Sequence, residues 1–264
     1  MSIKLGPAGI GKVNEVEETF KFYKEQGIEA SEIPFTYGVY IKKQEDIKKV
    51  REAAEKFNIE LSIHAPYWIN LNSKDKKKIE QSKKRILDCC EVGEKIGCKV
   101  VVFHCGYYGG MSENETYENI KKAILEMLKV IKKNKWKIKI APETMGKINV
   151  FGSFEQIYRL HKETGCYFCL DYAHMLARDK KVDYEKLKQF FTEKKWHCHF
   201  TGIVYGDKGE KHHKKTEKDD WKNLFNELKK IKDKDIIIIN EAPTPVEDSI
   251  EGLGVLKFSN ILKG

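Results

Sequence analysis

The sequence predicts an α/β fold, a single (β/α)8 TIM barrel spanning residues 1–264. Three observations predict it. Short apolar runs of four to seven residues alternate with longer amphipathic ones, with no linker or low-complexity tract between them. The length of 264 residues matches the roughly 250 that one such barrel needs. Histidines and carboxylates stand where the apolar runs end, and they can meet only if the run ends converge, as they do at the carboxyl-terminal mouth of a parallel barrel.

The elements follow in order. The expected strands are Ser2–Leu5, Ile28–Pro34, Ile59–His64, Lys99–His104, Lys137–Glu143, Tyr167–Asp171, His197–Thr201 and Ile236–Glu241. Most are rich in Ile and Val and bounded by Gly, Pro or Lys, as buried parallel strands should be. The expected helices begin with Val13–Gln26, whose apolar positions are Val13, Val16, Phe20 and Tyr23, followed by Gln44–Phe57. Lys74–Ile96 opens after Ser73 as N-cap, and Ser112–Lys133 also starts at a serine. Ser153–Thr164 carries a capping-box pattern, Ser153 followed by Gln156. Tyr184–Glu193, Asp219–Ile231 and Glu247–Leu262 complete the set. An open doubly wound sheet is the alternative, but no G-x-G-x-x-G follows the first strand.

Composition narrows the class. Charged residues make up 34% and the mean hydropathy is −0.57. No apolar run approaches the ~20 residues of a membrane span, and the opening MSIKLGPAGIGKV lacks a signal-peptide core. A cytoplasmic protein with no membrane partner is expected. The net charge of +9 favours an anionic partner such as nucleic acid, although a lysine-rich surface also accompanies life at high temperature. Seven cysteines form no disulfide framework and fit a reducing compartment. Cys166 and Cys169 make a C-x-x-C inside a strand and read as core residues.

The chemistry lies at the run ends. His64, His104 and His199 close three strands, and Asp171 and His174 are spaced to share one side of a helical turn. Glu143 and Glu241 close apolar strands, where an acid is costly unless paired or bound to a cation. A lysine-rich loop adds Glu210 and His212, with His213 ambiguous beside them. One histidine at a strand end is most often a hydrogen-bonded structural residue. Nine nitrogen and oxygen donors at one face point instead to a multinuclear metal site suited to zinc, manganese or iron. His161 and His197 are left out of it. Lys208, Lys211, Lys214 and Lys215 form a basic loop beside the site, suited to phosphate contacts or simply solvated.

From about Ile3 to Pro243 these motifs resemble the endonuclease IV family of apurinic/apyrimidinic endonucleases. The resemblance rests on HAPYWINLNS from His64 to Ser73, His104-Cys105-Gly106, Glu143-Thr144-Met145-Gly146, Asp171-x-x-His174, His199, Glu210-Lys211-His212 and Glu241-Ala242-Pro243. It implies up to three zinc ions held by His64, His104, Glu143, Asp171, His174, His199, Glu210, His212 and Glu241. It further implies cleavage of double-stranded DNA 5′ to abasic sites, with Glu143 and Glu241 catalytic and with Tyr67 and Trp68 wedged into the base stack. The chain departs from the family in Glu210, an aspartate there; in Phe200-Thr201-Gly202 after His199; and in FTYGVYIKK, Phe35 to Lys43, where the family has a Gln/Arg-containing DNA-reading loop. A monomer is expected. The competing enzyme class is a metal-dependent sugar isomerase or epimerase on the same barrel, which needs fewer ligands; a metal-binding nucleic-acid scaffold without cleavage is a third possibility.

Overall fold

A computed structural model describes residues 1–231 and 233–258. The chain runs β1 (Ser2–Pro7), α1 (Val16–Gln26), β2 (Ala30–Pro34), α2 (Gln44–Phe57), β3 (Glu60–His64), α3 (Lys76–Ile96), β4 (Val100–Phe103), α4 (Glu113–Lys133) and β5 (Lys139–Pro142). It continues α5 (Phe154–Thr164), β6 (Cys169–Asp171), α6 (Tyr172–Asp179), α7 (Tyr184–Phe190), β7 (Lys195–His199), the hairpin β8 (Gly202–Gly206) and β9 (Gly209–Lys214), α8 (Lys218–Leu228), β10 (Asp235–Asn240) and α9 (Pro245–Phe258).

Two four-stranded parallel ladders, β1-β10-β7-β6 and β2-β3-β4-β5, make the barrel wall. Parallel bridges Ala8–Glu32 and Glu143–Cys169 join their edges and close the ring. The fold is therefore the expected (β/α)8 barrel with the helices outside. Its main apolar core lies between strand and helix layers, where Leu5, Ile33, Ile63, Val101 and Phe168 meet Phe20, Val50, Ile86, Ile124 and Leu224. No helix among the described residues is long and apolar enough to cross a membrane.

The differences from expectation are local. Ile28 and Ile59 do not open strands as expected; their N–H groups bond to Tyr23 O and Ala54 O and close the preceding helices. In both cases a left-handed residue, Gly27 or Asn58, ends the helix just before. Asp75, not Ser73, caps α3, accepting from Lys77 N. The capping box at Ser153 and Gln156 forms as expected. The seventh strand lies two residues earlier than expected, because the chain leaves the wall after His199 to build the hairpin. The expected end of the last helix at Leu262 lies outside the described residues. All seven cysteines are buried and unpaired.

Strand register sets the inside of the barrel. Glu32 pairs with Ser62, His64 with Val102, Asp171 with His199 and His199 with Ile239. Side chains alternate across a strand, so His197 and His199 share the inner face with Glu32 and Ser62.

Candidate metal centre

Glu143 is the hub of the barrel mouth. It follows Pro142 at the end of β5 and is fully buried. Its Oε2 lies 3.3 Å from His64 Nε2 and 3.0 Å from His104 Nε2. Its Oε1 lies 3.1 Å from His199 Nδ1 and 3.3 Å from His174 Nδ1. Four imidazoles, three from the ends of β3, β4 and β7 and one from the first turn of α6, therefore converge on one carboxylate.

Local structure explains the Asp-x-x-His pair. Asp171 ends β6 and N-caps α6, its Oδ1 accepting from His174 N at 2.7 Å. That bond turns His174 back so that its Nδ1 sits 3.3 Å from Asp171 Oδ2. Asp171 Oδ2 is buried and has no hydrogen-bond partner. Glu241, just past β10, places Oε2 3.6 Å from His199 Nδ1 and is one-fifth exposed.

The hairpin brings the remaining donors. Gly209 has φ +89°, and a Cβ there would lie 2.0 Å from Gly146 O. Gly146 is tight in turn, since a Cβ on it would lie 2.8 Å from Glu210 Cβ. This close approach docks β9 on the loop after β5 and carries Glu210 to within 3.5 Å of His174 Nε2. The hairpin register then shifts, with Val204 opposite His212 but Tyr205 opposite Glu210. Lys211 is the extra residue of a bulge. Without it Glu210 and His212 would share a face; with it Glu210 and His213 do. His213 Nε2 lies 3.2 Å from His174 Nε2, whereas His212 is exposed. The expectation for His212 is thus corrected: the structure leaves it outside the cluster and puts His213 in its place.

The electrostatics follow from burial among opposite charges. Burial works against charge on His64, yet Glu143 beside it pushes it up to about 9. Burial likewise opposes charge on His174, and Asp171 with Glu143 pushes it up to about 10. Burial would raise Glu143, but His199 and His104 hold it well below the usual carboxylate range. For Asp171 burial wins and its carboxyl is raised. The neighbouring carboxylates thus favour protons on His64 and His174.

The donor set fits divalent cations of the zinc, manganese or iron type. Three groups each bring ligand atoms within 4.8 Å of one another at the mouth: His64–His104–Glu143; Glu143–Asp171–His199–Glu241; and Asp171–His174–His213. Glu143 belongs to the first two and Asp171 to the last two. The orphaned Asp171 Oδ2 supplies the missing-partner test, because a buried carboxylate oxygen demands one. Of the nine expected ligands, eight converge and His212 does not.

Over this cluster opens a cavity of about 350 Å³ whose walls include Tyr67, Tyr107, Lys147, Glu210 and Glu241. Tyr67 and Trp68 are exposed, at 62% and 58%. Tyr67 stacks at 6.2 Å from His104, and Trp68 lies 6.3 Å from Tyr37. Lys208 and Lys211 are exposed and make no ion pair among the described residues, while Lys214 pairs with Glu217 and Lys215 with Glu251. Sequence reasoning left His213 ambiguous and missed Lys147, Tyr107 and Glu32. Glu32 is fully buried beneath the centre, 3.1 Å from His199 Nε2.

Comparison with known proteins fits this architecture. Residues 20–258 match the family described as xylose isomerase-like TIM barrel. The chain belongs to that family. It is 34% identical over 235 residues to an uncharacterized protein of Methanocaldococcus jannaschii, covering 84% of each. It is 26% identical over 145 residues to a probable endonuclease 4 of Mycobacterium marinum, covering 53% of this chain and 54% of that one. Among solved structures, a D-tagatose 3-epimerase-like protein superposes with TM-score 0.73 at 21% identity, covering 99% of this chain and 100% of that one. Endonuclease IV from Thermus thermophilus superposes with TM-score 0.70 at 19% identity, covering 98% and 99%. The family holds enzymes of both kinds, and these two likenesses concern the fold.

Proposed function

We propose that this barrel is a metal-dependent phosphodiesterase that cuts the backbone of double-stranded DNA 5′ to abasic sites, as a cytoplasmic monomer. The observation that carries the reading is the sharing of carboxylates: Glu143 and Asp171 each belong to two ligand groups, which links three cation positions into one centre. A single-metal site would need only one of these groups. The partial likeness to probable endonuclease 4 of Mycobacterium marinum points the same way.

When bound, the metals would polarise the phosphate, provide hydroxide near neutral pH and stabilise the departing 3′ oxygen. The chain supplies the rest. His64, His104, Glu143, Asp171, His174, His199, Glu210, His213 and Glu241 would hold the ions. Glu241 both belongs to the centre and lines the open cavity, so it is placed to take the proton of the attacking water. Lys147, Lys208 and Lys211 would contact phosphates on either side. Tyr67, Trp68 and Tyr37 offer aromatic faces at the rim for an extruded nucleotide.

The second reading is a sugar epimerase. Glu143, Asp171, His199 and Glu241 form a complete one-metal set on their own, and epimerases share the fold. One experiment separates the two: incubate the purified protein with an abasic duplex and, separately, with ketohexoses, each with and without a chelator. The nuclease reading requires chelator-sensitive nicking that falls steeply with salt. Replacing Lys208 and Lys211 by alanine should flatten the salt slope by about one unit per lost phosphate contact. Epimerised sugar with intact DNA would overturn the nuclease reading.

A further inference from the structure

Beneath the centre, the barrel interior holds a carboxylate that no ligand group uses. Glu32 sits in the middle of β2 and is fully buried. Its Oε2 accepts from Ser62 Oγ at 2.7 Å and lies 3.2 Å from His197 Nε2. Its Oε1 lies 3.1 Å from His199 Nε2, within reach of a hydrogen bond, yet neither of these buried atoms makes one to any described residue.

We propose that Glu32 is a positioning residue that fixes which nitrogen His199 offers to the metal centre. The inference rests on the metal reading of the mouth. His199 turns Nδ1 towards Glu143 and Glu241, at 3.1 and 3.6 Å. Nδ1 can donate a lone pair to a cation only if the ring proton resides on Nε2. A buried N–H needs an acceptor, and Glu32 Oε1 is the one in place. A small rotation of the ring or carboxyl would complete that bond, and Glu32 would then accept from Ser62, His197 and His199 together. Its negative charge also makes the ring a more basic donor, the usual effect of a carboxylate behind a ligating histidine. His197, one strand period below His199, then holds the far oxygen of Glu32 and is not itself a ligand of the mouth.

Cys169, His197 and His199 could alternatively hold an ion inside the barrel. Such an ion would take the Nε2 lone pair of His199 and leave no proton there. Nitrogen-15 NMR of the zinc-loaded protein with labelled histidine decides between them without any variant. The proposal requires His199 protonated on Nε2, slowly exchanging, with Nδ1 unprotonated. A proton on Nδ1, or on neither nitrogen, overturns it.

Glu32→Gln provides the second arm. Competition with a zinc chelator should show affinity at the weakest-held ion lowered by about 10–100-fold, with the Nε2 proton signal shifted or lost. Wild-type affinity in a folded Glu32→Gln protein would sink the positioning role while leaving the metal centre standing. A wild-type protein that binds no zinc would instead remove the metal reading, and this inference with it.

Discussion

The two ends of the barrel interior are both lined with charge, but they are built on opposite terms. At the bottom, Glu60 pairs with Lys4 at 3.1 Å and Lys195 at 2.6 Å, and Lys139 lies over the Tyr167 ring at 4.6 Å. Permanent cations on flexible stems answer one carboxylate there. At the mouth, no lysine reaches Glu143, Asp171 or Glu241 among the described residues; their contacts are histidines. An imidazole can lose its proton and bind a metal near neutral pH, whereas a lysine ammonium is a donor only and offers a metal no lone pair. The choice of counter-charge therefore separates an end that is merely stable from an end that can exchange protons for cations. That matches the general division of labour between the bottom and top faces of such barrels.

The sharpest way to break this comparison is Glu143→Gln. The amide cannot bridge two cations, so DNA cleavage should fall by roughly 10³-fold or more, the scale of losing a group on which the chemistry depends. The substitution keeps the shape of the side chain, so the metal-loaded fold should survive, while the metal-free variant should be less stable because His64 and His174 lose a counter-charge. Turnover within a few-fold of wild type would show that the hub of the mouth is structural after all.

A second test sharpens the role of the hairpin. His213→Ala should lower metal affinity or activity by about 10–100-fold, as loss of a donor at such a site does. His212→Ala should change either by less than about twofold, since exposed positions away from special contacts are tolerated. The reverse result would mean that β9 sits one residue out of register from the structure described.

That pair also shows how much was legible beforehand. Short apolar strand runs, cap residues and the acids and histidines at strand ends made the barrel and eight converging donors legible, because those signals are local. The bulge at Lys211 is not local: it forms where β9 meets β8 and docks through Gly146 and Gly209. The motif match Glu210-Lys211-His212 therefore selected a histidine that the bulge turns away from the cluster. Glu32 escaped for a different reason. It lies in mid-strand in a weakly apolar run, Ile28–Pro34, and attention to strand ends passes over it. Its alternation with Ala30 on one face was the available signal.

Proton exchange at the mouth yields a pH dependence. His64 is raised to about 9 and His174 to about 10 in the metal-free protein. Both rings thus carry protons at neutral pH, and a metal must displace them. Affinity should climb as pH rises towards those values, by about tenfold per unit for each proton released, and level off above them. The same shifts stabilise the metal-free fold fully below the unfolded histidine pKa of about 6.5, and that stability is lost as pH rises through the folded values. Alkaline pH should therefore lower the melting temperature of the metal-free protein more than that of the loaded one. Equal sensitivity of the two forms would contradict the assignment of these protons to the metal positions.

The smallest effect belongs to the bottom of the barrel. Burial raises the Glu60 carboxyl, but Lys195 and then Lys4 more than compensate and hold it below its ordinary value. Its side chain is 11% exposed, while Lys4 and Lys195 are 30% and 47% exposed. Water therefore screens the cationic side of both pairs. Glu60→Gln should cost about 1 kcal/mol, towards the top of the range for partly solvated pairs and well short of that for a fully buried one. Because the folded pKa is lowered, the contribution is present above the unfolded value and fades as pH falls through the folded one. Wild type and variant should accordingly converge in melting temperature in acid, below about pH 4. Cleavage and metal content should be unchanged by the substitution at neutral pH. A loss of metal from Glu60→Gln would mean that the two ends are coupled through the column of Ser62, Glu32 and His197, and that the bottom of the barrel is not structural alone.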